Sequence, residues 1–378
     1  MWYNIPGESM KKTIVTILAA LLISGCAGSQ DELQKYSSTT SESGFDTPIT
    51  LIAYTEDEKT FQTFFKQMKK DFLHYHQLFD KYHDYPGINN IKTINEQAGI
   101  APVRVDASII KMLKLAKQYY EASGHHFDVT MGSVLDIWHD ARDAGTRLNE
   151  QGKSGVLPDL QKLKEAKNHT GFAYLKIDEQ AQTVYLTNSA VQLDVGAIAK
   201  GYATEQVAKS LKKKGLKHAI INAGGNVRLI GSKPKDEKWS IGIQSPNLED
   251  SGSLASIEVQ KDYSFVTSGD YQRYYLVDHK MIHHIIDPDT LMPADHQRAV
   301  TVIAKDSGVA DALSTTLFTL SYEEGSKLIN KLKKDGMDIQ AVWVFDQQKP
   351  APKGVKTYPA GNYELVITSD LKKQITFH

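Results

Sequence analysis

Between residues 59 and 82 the apolar side chains Phe61, Phe64, Phe65, Met68, Phe72, Tyr75, Leu78 and Phe79 recur at spacings of three and four. That period predicts a helix with one broad buried face. A second helix is predicted through ASIIKMLKLAKQYYEAS, capped by Asp106 and stopped at Gly124. A third carries Ala199, Tyr202, Ala203, Val207, Ser210 and Leu211 on one face and stops at Gly215. Two more cover 309–320 and 322–333. Strands are predicted where apolar residues alternate or run together: TPITLIAYT, AYLKI, TVYLT, WSIGIQS, SIEVQ, SFVTSG, RYYLVD, HHIID, VTVIA, AVWVFD and YELVIT. Residues 140–170 are polar and predict surface connections with short helices. Neither an internal repeat nor a linker after residue 44 interrupts this pattern, so 45–378 reads as one α+β domain.

The N-terminal end has a different texture. Met10-Lys11-Lys12 followed by TIVTILAALLISGCAGS has the charged start, short apolar run and small-residue site of an export signal. Ile23-Ser24-Gly25-Cys26 fits a bacterial lipobox, in which Cys26 is lipidated and becomes the mature N-terminus. The expectation is a signal peptide over 1–25 with translation starting at Met10, and a lipid anchor to the outer face of the bacterial cell membrane. Residues 26–44, rich in Ser, Thr, Gln, Glu and Gly, read as a lipidated Cys and flexible tether whose removal is neutral for stability. Cys26 is the chain's one cysteine, so the exported domain must stand on its core without an internal disulfide.

A net charge of −1, with 24% charged and 41% hydrophobic residues, is globular composition and carries no basic stripe. A nucleic-acid partner is thereby excluded from the reading.

Candidate chemistry lies in four places. In LDVGAIAKGYA, residues 193–203, an acid, a small-residue turn and Lys200 open a helix, whose free N–H groups and partial positive charge suit phosphate; an ordinary strand–turn–helix explains the same residues. Asp311 and Thr315, four apart on a predicted helix, can share a cation, and hard oxygen ligands suit Mg²⁺; a helix cap with a back-bonded threonine is the plainer alternative. His283 and His284 point to opposite faces of a regular strand, which argues against a shared zinc and leaves His284 as a candidate proton acceptor. Phe127-Asp128 after a helix stop can hold a ring and its polar edge, or serve as core and turn.

In this order the blocks FDVTMG, DVGAIAKGYA, NAGGNVR, TSGDYQRYY, HHIIDPDT and ADALSTTLF resemble the ApbE family, the FAD:protein FMN transferases. They run from about 125 to 320, with a weaker match from Phe45. The resemblance implies FAD as substrate in a cleft between two α+β subdomains. It implies that Asp194 and Lys200 contact FAD and that the Ala197 carbonyl joins Asp311 and Thr315 at Mg²⁺. His126, Phe127, Asp128, Tyr82, Ile285 and Ile286 would line the nucleotide pocket. Two departures stand out: Phe45-Asp46-Thr47 replaces the family's Met-Gly-Thr, and Asp287-Pro288-Asp289-Thr290-Leu291 replaces its DPxTG.

The expected reaction moves FMN from FAD to a Thr or Ser of a partner protein, with AMP leaving and His284 as candidate base. The family's acceptor motif, D-x-x-x-[S/T]-G-A-T, is absent from the chain, so the acceptor is another protein. Two rival readings are an FAD pyrophosphatase, with water replacing the hydroxyl, and a flavin-binding lipoprotein without catalysis.

Overall fold

The structure, a computed structural model, describes residues 33–378 apart from 248 and 251. The signal segment, the start at Met10 and Cys26 lie outside the described residues.

The described residues gather into one compact α+β unit. Its middle layer is an antiparallel sheet of nine strands: β1 (Gln34–Thr40), β2 (Ile49–Thr55), Ala219–Ala223, Asn226–Ile230, Ser264–Gly269, Ala299–Ala304, Ile339–Phe345, Tyr363–Ile367 and Tyr358–Ala360. Both faces of the central strands are covered. Val300 and Val302 join a core with Leu313 and Leu317 on the helical side, while Ala299 and Ile303 join Trp239, Ile241 and Ile257 on the other. This explains why every position of VTVIA and AVWVF is buried, and all but Thr301 apolar, instead of every second one.

The helices are α1 (Glu58–Phe79), α2 (Ile91–Glu96), α3 (Ala107–Ala122), α4 (Gly132–Glu150), α5 (Leu160–Lys167), α6 (Ala199–Lys213), α7 (Ser307–Thr319) and α8 (Tyr322–Lys334). The far face of the sheet is capped by a three-stranded sheet of Trp239–Gln244, Ser253–Val259 and Ile375–Phe377.

Three boundaries differ from the sequence pattern. Helix α1 ends at Phe79, because Asp80 turns extended and its Oδ1 accepts the Tyr82 N–H at 2.7 Å, swinging Lys81 and Tyr82 off the helix. Helix α4 is 19 residues long where short helices were expected. Its inner face is marked sparsely, by Val134, Trp138 and Gly145, and Gly145 lets the Tyr275 ring lie against the backbone. Finally, the strand predicted over HHIID stops at His283.

The larger correction concerns the tether. Residues 34–40 are not loose chain; β1 pairs with β2 along its whole length and forms the sheet edge. Tyr36 stacks on Phe61 of α1 with ring centroids 5.6 Å apart, and the Thr39 and Thr50 hydroxyls share a 2.8 Å hydrogen bond. QKYSSTT lacks apolar alternation, so only its partner strand reveals it. Deleting residues 1–32 should leave the melting temperature unchanged. Deletion through 44 should lower it by several degrees or more, because β2 becomes a bare edge and the Tyr36 contact is lost; equal melting of the two truncations would show that β1 carries no stability.

Candidate active site

The site is assembled where α6 meets α7. Gly201 in the first turn of α6 lies so close to α7 that a Cβ would collide with the Asp311 side chain and the Ser307 carbonyl. The Gly201 N–H donates to Asp311 Oδ2 at 2.7 Å. The anion at the start of α6 is therefore the Asp311 carboxylate, delivered from another helix. A buried ion pair below it ties the layers together: Arg228 Nε donates to Glu205 Oε2 at 2.8 Å, and the same oxygen accepts the Ser307 N–H at 2.9 Å.

Asp311 is not the helix cap; Asp306 caps α7 through the N–H groups of Gly308 and Val309. Asp311 is 7% exposed, and among the described residues no basic nitrogen stands within ion-pair distance of it. Burial raises its carboxyl to about 6, against the opposing pull of the Lys200 charge, the Gly201 N–H and the Asn226 side chain. Lys200 Nζ donates to the Gly224 carbonyl at 2.9 Å, and burial pushes its ammonium down. Thr315 Oγ1 is 3.3 Å from Ser268 Oγ. A buried carboxylate without an ion-pair partner, lining one cavity with the Thr315 hydroxyl and Ala197, is an oxygen donor set that fits a hard divalent cation.

These groups open onto a cavity of about 810 Å³ whose lining includes the residues expected at the FAD and metal sites: Tyr82, His126, Phe127, Asp128, Asp194, Ala197, Lys200, His284, Ile285, Ile286, Asp311 and Thr315. Their environments differ. Tyr82 is 58% exposed and presents an open aromatic face, while its hydroxyl shares a 2.9 Å hydrogen bond with His139 Nδ1. Ile285 and Ile286 are buried wall. Phe127 belongs chiefly to the core, and the Asp128 carboxylate accepts from both the Thr130 N–H (2.8 Å) and hydroxyl (2.6 Å). His126 Nε2 stands 3.5 Å from Asp289.

The two histidines separate, although the strand ends at His283 and His284 lies in the bend after it. His283 is consumed structurally: Nε2 donates to the Ala294 carbonyl at 2.9 Å and Nδ1 accepts the Ile285 N–H. His284 donates from Nδ1 to the Arg273 carbonyl at 3.2 Å, which leaves the Nε2 lone pair free. Burial and the charge of Arg273 push its basicity down to about 3.

Several site residues escaped the sequence reading. Lys81 bridges Asp136 at 2.6 Å and Asp194 at 2.9 Å. Although burial opposes ionisation, the Lys81 charge and the Gly196 N–H hold the Asp194 carboxyl below its usual value. A lysine interrupting an aromatic helix face at its C-terminal end was the available signal.

Both departures from the family pattern keep special backbone. Phe45 and Asp46 line the cavity at φ 60° and 48°, held by the Phe45 N–H donating to His76 Nδ1 at 3.2 Å. Leu291 keeps a glycine-like φ of 60°. Burial of its side chain and the Trp138 indole N–H on its carbonyl at 3.0 Å offset the strain.

A sequence model of the ApbE family matches residues 45–341. The chain is 30% identical over 302 residues to the FAD:protein FMN transferase of Klebsiella pneumoniae (strain 342), covering 79% of this chain and 85% of that protein. To the FAD:protein FMN transferase of Treponema pallidum (strain Nichols) it is 32% identical over 280 residues, covering 70% and 73%. The crystal structure of the ApbE protein of Thermotoga maritima superposes with a TM-score of 0.68 at 28% identity, over 82% of this chain and 94% of that one. The apo form of the Pseudomonas stutzeri flavinyl transferase ApbE shares the fold, with a TM-score of 0.71 at 22% identity over 92% and 98%. The matched span contains every cavity-lining residue described above, and the chain belongs to the ApbE family.

Proposed function

We propose that this protein is a transferase that moves FMN from FAD onto a threonine or serine hydroxyl of a partner protein and releases AMP. The observation that carries the reading is Asp311: a buried carboxylate without an ion-pair partner that lines one cavity with Lys200 and His284. A pure flavin-binding protein has no use for so costly a group.

Tyr82 offers a face on which a ring of FAD can stack, while Asp194, fixed by Lys81, accepts from its polar edge. Ala197, Asp311 and Thr315 would hold Mg²⁺, and the ion would supply positive charge to offset that of the pyrophosphate. His284, neutral and with Nε2 free, accepts the proton of the acceptor hydroxyl. The hydroxyl oxygen forms the new bond to the FMN phosphorus as the pyrophosphate P–O bond breaks, and AMP carries away the bridging oxygen. Lys200 holds positive charge beside the phosphates, and the surrounding wall positions the reactants. The same reading sets the domain outside the bacterial cell membrane on a lipidated Cys26.

The test is to incubate the protein with FAD and Mg²⁺, with and without a partner carrying a D-x-x-x-[S/T]-G-A-T motif. The expected result is slow release of FMN and AMP alone. With the partner, AMP and a fluorescent flavin-labelled partner should appear in equal amounts, and labelling should be lost when the acceptor residue is Ala. Rapid FAD hydrolysis with an unlabelled partner would establish the pyrophosphatase instead.

A further inference from the structure

We infer that Arg273 is a further catalytic residue, whose guanidinium grips the phosphoryl group during its transfer. The proposal rests on the transferase reading for the identity of that group.

Arg273 lies between the strand Ser264–Gly269, which supplies Ser268 beside Thr315, and the hairpin strand Tyr274–Val277. It lines the same cavity as Lys200, His284 and Asp311. Its backbone is fixed on both sides: its carbonyl accepts His284 Nδ1, and Tyr274 pairs with His283. The residue that fixes the His284 tautomer therefore also presents a guanidinium on the same wall.

What sets Arg273 apart is the absence of a partner. Lys81 is spent on Asp136 and Asp194. Lys349 and Arg298 are spent on Asp270, and Arg142 stands 3.6 Å from Asp143. Among the described residues, Arg273 has no carboxylate within ion-pair distance and its side chain makes no hydrogen bond. Its charge nevertheless reaches both Lys200 and His284, depressing the protonation of each. Two cations, Arg273 and Lys200, thus act on one cavity beside a neutral His284, and an anion entering the cavity would relieve the repulsion between them. A planar fork of donors matches two oxygens of one phosphoryl group, which a lysine cannot do. The acceptor side offers an alternative ligand, an aspartate of the partner motif, but the exposed Arg273 lines the same cavity as Lys200 and His284 and its charge acts on both, which favours the phosphoryl group.

The test compares wild type, Arg273→Ala and Arg273→Lys in three assays: binding of inorganic pyrophosphate by calorimetry, FAD hydrolysis without acceptor, and acceptor labelling. Arg273→Ala should bind pyrophosphate at least tenfold more weakly. Hydrolysis and labelling should fall together by about 10²–10³-fold, the range seen when one charge-stabilising donor is removed. Guanidinium at non-denaturing concentration should restore part of both rates, which a structural role would not predict. Arg273→Lys, which keeps the charge and preserves the fold if the alanine variant does not, should remain at least tenfold slower than wild type. Pyrophosphate affinity and turnover within threefold of wild type in both variants would overturn the proposal. Loss of labelling with hydrolysis intact would overturn it too, assigning Arg273 to acceptor recognition. If wild type neither hydrolyses FAD nor labels a partner while Arg273→Ala still loses pyrophosphate, the transferase reading fails and the anion site stands.

Discussion

Asp311→Asn should reduce Mg²⁺-dependent FMN transfer by about 10³-fold while leaving the protein folded, since it removes the one full charge among the proposed ligands. Asparagine keeps the volume packed against Gly201 and can still accept its N–H, whereas alanine would open a hole between α6 and α7. The stability effect has a definite sign. The folded state raises this carboxyl from 3.8 to about 6, so folded protein holds the proton more tightly than unfolded chain. Without metal, stability is therefore lost as pH rises from about 4 towards 6, and the cost is complete above that. The metal-free Asn variant should melt above metal-free wild type at neutral pH and level with it near pH 4. Mg²⁺ should raise the melting temperature of wild type only. Wild-type turnover in Asp311→Asn, or an equal Mg²⁺ response in both proteins, would remove Asp311 from the metal site.

His284→Ala should slow transfer by about 10²–10⁴-fold, the usual contribution of a positioned base, with FAD affinity nearly unchanged. Loss of FAD binding alone would assign the ring to the pocket wall. The pH profile supplies an independent check. With its value in the free enzyme pushed down to about 3, His284 is neutral there from about 5 to 8, so it contributes no inflection to kcat/KM in that range. For stability the sign is opposite to that of Asp311. The unfolded chain takes up the proton first as pH falls below about 6.5, so burying this neutral ring destabilises the protein progressively between there and about 3. His284→Ala should reduce that acid lability. A rate inflection near 6.5 that disappears in the variant would show that the ring is protonated in the folded enzyme.

Much of the molecule was legible in the chain. The face of α1, the Asp106 cap, the Gly215 stop and most strands follow from local periodicity, because a helix or strand must bury one face and the spacing of apolar residues records which. The blocks around Asp194, Lys200, His284, Asp311 and Thr315 could be picked out through their serial resemblance to the ApbE family, since each spacing taken alone also suits ordinary caps and turns. Strand alternation predicted opposite faces for His283 and His284; the rings do part, but because the strand ends at His283 and the chain bends at His284.

What the chain could not disclose depends on partners distant in sequence. Gly201 is an undistinguished helix residue until α7 presses Asp311 against it, and Asp311 and Thr315 passed equally well for cap chemistry until Asp306 took that role. QKYSSTT resembles a tether because β1 gains its order from backbone hydrogen bonds to β2, and these leave no mark on side-chain pattern. Lys81 gains meaning from Asp136 and Asp194, and Arg273 from having no such partner. Local sequence determined which faces are buried, since burial is a property of each element's own period. Tertiary packing decided which charges meet and which stay unpaired, because Coulomb energy and desolvation depend on neighbours that only the folded chain brings together.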